Sequence, residues 1–97
     1  MSDDEAAQRR LWASVIIQAL IDATSQPKTP VGETYKNSAK AWLTVEYGTT
    51  AQNFEEVCLA ADMEPTVVRR FFKTYEGPPL TLHVLSRMRN TVLKGVA

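Results

Sequence analysis

The sequence predicts an all-α fold, a small bundle of four to five helices, on three observations. Apolar residues recur at three- and four-residue steps almost throughout, and no run alternates as a half-buried strand does. Glycines and prolines gather at a few points, where they cut the chain into helix-length pieces. The chain has 97 residues, which suits one domain with a real but modest core and no need of disulfides or metal.

The first helix is expected over about 4–24. Asp3, Asp4 and Glu5 suit the positive end of its dipole. Trp12, Val15, Ile16, Ala19, Leu20 and Ala23 form one apolar stripe, and Ile17 with Ile21 adds a second strip on roughly the opposite side. A helix apolar on two sides is either central or pressed against a partner. SQPKTPVG then forms a loop, because two prolines and a glycine in eight residues cannot continue a helix. A second helix follows over about 33–46, with Ala39, Trp42 and Leu43 inward and Gly48 just past its end. Its Lys36 and Lys40 make an outer, solvated face.

A short third helix is expected over about 54–61, with Asn53 as its cap and Glu56 completing a capping box. Phe54, Val57, Cys58 and Ala61 fall within one arc, so Cys58 is expected as a small core residue. Asp62-Met63 breaks this helix, and aspartate tolerates the left-handed conformation a tight turn needs. Pro65 opens a fourth helix over about 65–75, since its missing N–H is unpaired in a first turn anyway. After Gly77-Pro78-Pro79, Thr81 is placed to cap a fifth helix over about 81–93, with Leu82, Leu85, Met88 and Val92 as its stripe.

Charge singles out the fourth helix. Residues 1–63 carry nine acids and five bases, while residues 64–97 carry two acids and six bases, so a neutral chain is divided into unlike halves. With Pro65 at zero and about 100° per residue, Arg69 falls at about 40°, Lys73 at about 80°, Thr66 at about 100° and Arg70 at about 140°. Val67, Phe71, Tyr75, Val68 and Phe72 occupy roughly 200–340°. One face packs; the other is a compact patch of three cations and a hydroxyl with no acid inside it. A solvated face usually mixes signs for small i,i+4 pairings. This one calls for an anionic partner.

Two short helices joined by a tight turn make the helix-turn-helix unit. The spacing of Cys58, Asp62, Met63, Val68 and Phe71 resembles the pattern of helix-turn-helix DNA-binding proteins, with Cys for the usual alanine and Asp for the usual glycine. That resemblance implies that Glu64, Pro65, Thr66, Arg69, Arg70 and Lys73 face a major groove. Arg87 and Arg89, with Lys94, either add phosphate contacts or are ordinary surface charges. A narrower resemblance rests on Trp42, Leu43, Phe54, Val57, Cys58, Ala61, Pro65, Val68, Arg69 and Arg70. These match small phage- and prophage-type DNA-binding proteins and the N-terminal DNA-binding region of gene transfer agent activators of alphaproteobacteria. This similarity implies one DNA-binding domain over residues 1–97, alone or as the N-terminal part of a longer protein, and a transcription regulator acting on double-stranded DNA.

The chemistry of other classes is missing from the sequence. It holds no glycine-rich phosphate loop, no H-E-x-x-H and no G-x-S-x-G, and its one His83 and one Cys58 have no third group to orient them. An enzyme, a cofactor, a metal and a small-molecule substrate are therefore not expected. The longest apolar run, VII at 15–17, is far short of a membrane span, and the acidic start is the reverse of a signal peptide. A cytoplasmic, nucleoid-associated protein is the expectation. The competing reading is a helical interaction module docking on an acidic partner such as an RNA polymerase subunit, or on a second copy, through Ile17 and Ile21.

Overall fold

A computed structural model describes residues 3–88, and among them the chain is all-α with no strand. The helices are α1 (Asp3–Thr24), α2 (Pro30–Thr44), α3 (Gly48–Ala60), α4 (Pro65–Thr74) and α5 (Leu82–Met88). α1 packs against α2, α3 and α5, whereas α4 packs against α2 and α3. None of these helices is long and apolar enough to cross a membrane.

α1 supplies the middle of the core with Ala13, Ile16, Ile17, Leu20 and Ala23. The inward arc is therefore rotated from the expected stripe. Ile17 is buried within the chain and Ile21 packs partly against the same core, so the second strip is taken up internally. Trp12 and Val15, expected inside, each keep 38% of their surface exposed. Periodicity gives two arcs, and which of them is covered depends on where α2 and α3 arrive.

α2 begins three residues earlier than expected. Thr29 caps it by accepting the Gly32 N–H at 3.0 Å, and Pro30 occupies the first helical position, where a proline costs nothing. Gly32 is needed there, since a Cβ would stand 2.8 Å from the Pro27 side chain as the loop folds back. Ala39 and Leu43 are buried, and Trp42 is half-buried.

α3 starts six residues before the expected point, which overturns Asn53 as a cap. Gly48, at φ 80°, turns the chain sharply after α2, and Ala51 is buried in the early turns of the new helix. Asn53 lies inside α3, where its Oδ1 accepts the Trp42 Nε1–H at 2.8 Å. Beyond α4, the Leu80 N–H donates to Thr24 Oγ1 at 3.0 Å and fixes the return segment to the end of α1. Thr81 accepts the Val84 N–H at the start of α5. Leu80 and Leu85 are buried, and Leu82 is exposed, because Leu80 just before the helix takes the inward place. Residues 89–93 of the expected fifth helix lie outside the described residues, as do Arg89, Val92 and Lys94.

Candidate nucleic-acid interface

The corner between α3 and α4 is closed by the backbone. The Met63 N–H donates to the Cys58 carbonyl at 2.8 Å and the Asp62 N–H to the Leu59 carbonyl at 3.1 Å, the paired bonds of a Schellman ending. Asp62 carries the left-handed conformation this requires, at φ 60°. Met63 is buried beside the core, as is Cys58, whose thiol burial pushes up to about 12. A thiol held neutral in this way packs rather than reacts.

α4 leaves the corner from Glu64, whose side chain makes no cap bond, and Pro65. Val68 is wholly buried, while Phe71, Phe72 and Tyr75 pack partly against the core. Glu64, Thr66, Arg70 and Lys73 are exposed and Pro65 is half-buried. Among the described residues, the Arg70 side chain has no hydrogen-bond or ion-pair partner, while its carbonyl accepts from Thr74 Oγ1. Arg87 is exposed on α5, whose packing is against α1.

Arg69 departs from the expectation that it faces outward; only 8% of its surface is exposed. Its Nη2 donates to the Val45 carbonyl at 3.2 Å, and its Nη1 stands 3.5 Å from Glu55 Oε1. Its guanidinium carbon lies 4.6 Å from the centroid of the Phe54 ring, in cation–π range. The Nε is buried without a partner. Arg69 joins three elements: the end of α2, α3 and α4.

Lys73 also has an acid. Its Nζ donates to Glu46 Oε1 at 2.7 Å, and this ammonium holds the Glu46 carboxyl below the ordinary carboxylate range. The cationic face is therefore not free of acids, as it looks when α4 is taken alone. Glu46 and Glu55 come from earlier in the chain and reach the face only through packing. The rotation does not separate the two arginines: Arg69 stands about 60° from Phe72 and Arg70 about 60° from Val67, at the two edges of the apolar arc.

The structure thus leaves Thr66, Arg70 and Lys73 exposed on α4, with Glu64 exposed and Pro65 half-buried at its start, and withdraws Arg69 into the corner. Among the described residues, no cluster of His, Cys, Asp or Glu could hold a metal ion. No protein-family model, curated protein or solved structure matches the chain.

Proposed function

We propose that the chain binds double-stranded DNA, with α3, the Asp62 turn and α4 acting as a helix-turn-helix and α4 entering the major groove. The observation that carries this reading is Arg70, an exposed and unmatched cation on a helix held rigidly from behind. A recognition helix contacts bases mainly through residues near its N-terminus. Glu64 and Thr66 occupy that end here, with Arg70 one turn further along. Arginine pairs two donors with guanine O6 and N7, and glutamate accepts from cytosine N4. Lys73 reaches a phosphate by exchanging Glu46 for it.

Arg69 takes a different part from the one its exposure on a helical wheel implies. It positions α4 against α2 and α3, and does not touch bases. The regulator role follows the resemblance to phage-type and gene transfer agent DNA-binding proteins, which rests on Trp42, Leu43, Phe54, Val57, Cys58, Ala61, Pro65, Val68, Arg69 and Arg70. Ile17 is buried, so docking of a polymerase subunit or a second copy through that strip lacks an exposed surface.

Selection of bound duplexes from random DNA, followed by anisotropy titration of the winning site, tests the proposal. Arg70→Ala is expected to lose about 1–3 kcal/mol, roughly five- to 150-fold, and to relax preference at one base pair. Wild-type affinity in folded Arg70→Ala, or selection of no sequence at low salt, overturns it.

A further inference from the structure

The outer flank of α1 is apolar where nothing in the fold covers it. With Asp3 at zero and about 100° per residue, the buried residues Ala13, Ile16, Ile17, Leu20 and Ala23 span about 200–320°, and Leu11 stands opposite them at about 80°. Gln8, Val15, Gln18 and Asp22 lie within about 60° of Leu11, at steps of three and four residues. Leu11 is 59% exposed and Val15 38%. This arc is separate from that of Ile17 and Ile21, which the core takes up.

Beside the flank is a hole of matching shape. Val15, Gln18, Ala19 and Asp22 form the α1 side of an open hollow of about 470 Å³, whose α2 side includes Tyr35 and Trp42. Their spacing, i, i+3, i+4 and i+7, is that of the four residues that surround one knob in knobs-into-holes packing. Ala19 is the small residue among them, and Leu11, two turns earlier, is a large one without cover. The chain cannot seat its own Leu11 there, since knob and hole lie on one helix. A second α1 running antiparallel can. With a two-fold axis at Val15, Leu11 of each copy stands over Ala19 of the other, and Gln8 stands beside Asp22.

We propose that two copies of the chain pair through α1 in this way, each Leu11 seated in the α1–α2 hollow of the other. From Gln8 to Gln18 the arc carries no charge, so the copies meet there without opposed like charges. At one end, Asp22 Oδ1 accepts the Gln18 Nε2–H at 2.9 Å, which leaves Oδ2 for the Gln8 amide of the other copy. At the other, Asp4 reaches past the end of the opposite α1. Sliding the helices until Asp4 meets Asp22 opposes two acids at each end, which selects the register at Val15. The arc has no base to hold nucleic acid or anionic lipid.

Sedimentation equilibrium of the full chain over a rising concentration series tests the pairing. The mass is expected to climb toward that of a dimer, with modest affinity, because one helix pair is at the small end of specific interfaces. Leu11→Lys, at an exposed position, should weaken association by about tenfold or more at an unchanged melting midpoint. Gln8→Lys should tighten it about two- to fivefold by meeting Asp22 of the other copy, a gain that misfolding cannot produce, and adding Asp22→Asn should cancel that gain. A chain that stays monomeric at every concentration leaves the flank to another partner and overturns the proposal. So does a dimer that Leu11→Lys leaves intact, or one that Gln8→Lys weakens. No DNA enters these measurements, so their outcome is independent of the reading of α4.

Discussion

The two flanks of α3 solve the same problem in opposite ways. On the α4 side, cations meet acids from other helices: Arg69 faces Glu55 and the Val45 carbonyl, and Lys73 bonds Glu46, leaving Arg70 over. On the other side, Trp12, Val15 and Tyr35 lie exposed. A net charge of zero hides this division. What marks a surface for a partner is the group left without a match, and the two flanks leave different ones: the Arg70 guanidinium on one side, uncovered apolar area on the other.

Phe54 is where the flanks meet. Its ring stands perpendicular to that of Trp42, with centroids 4.9 Å apart, and takes the Arg69 guanidinium over its face. An aromatic ring is negative over its face, which suits the guanidinium, and a perpendicular ring pair suits the quadrupoles of both rings. Phe54→Ala therefore undermines both at once. With Phe54 fully buried, the loss should be about 3–5 kcal/mol, read from urea unfolding, with the tryptophan emission shifted to the red. A loss confined to one flank, with the Trp42 environment unchanged, breaks the idea of a shared partition.

A smaller effect separates the two adjacent arginines. Arg69→Ala strips a buried carbonyl bond and the packing over Phe54, and should cost about 2 kcal/mol of stability. Arg69→Met keeps much of the packing and removes the orphaned Nε, and the half-exposed Glu55 returns to water, so it should lose less stability than Arg69→Ala. Arg70→Ala should stay within about 0.5 kcal/mol. The order of the three midpoints, with DNA affinity kept in Arg69→Met and lost in Arg70→Ala, sharpens the distinction between positioning and contact. Loss of DNA affinity in Arg69→Met at full stability contradicts it.

The legible part of the molecule is what depends on near neighbours in the chain. The helical class, the Asp62 turn, the proline start of α4 and the burial of Cys58, Val68 and Leu43 all follow from spacing and backbone chemistry. The misplacements share another cause. Asn53 and Glu56 form an acceptable capping box, but Gly48 turns the chain earlier and tertiary packing of Ala51 extends the helix backwards. Arg69 has a face on a helical wheel, yet its partners are Val45 and Glu55, which one helix cannot reveal. The exposure of Trp12 was hidden for the same reason, since Trp12 looks like core when α1 is taken alone.

The subtlest difference between the flanks is whether the pairing of Lys73 can be undone. Glu46 and Lys73 are both well exposed, so their bond adds little to stability, and Glu46→Gln should leave the unfolding midpoint where it is. The DNA titration should move instead. Freed from its carboxylate, Lys73 can neutralise a phosphate at all times, so affinity rises for every sequence alike and the salt slope steepens by about one unit. The sign with pH follows from the depressed Glu46 pKa: the pair is intact above it and is lost as pH falls through it. The advantage of Glu46→Gln over wild type should therefore be present at neutral pH and vanish in acid below the ordinary carboxylate range. An advantage that persists unchanged there means that Lys73 was never restrained by Glu46, and that the α4 face presents two free cations rather than one.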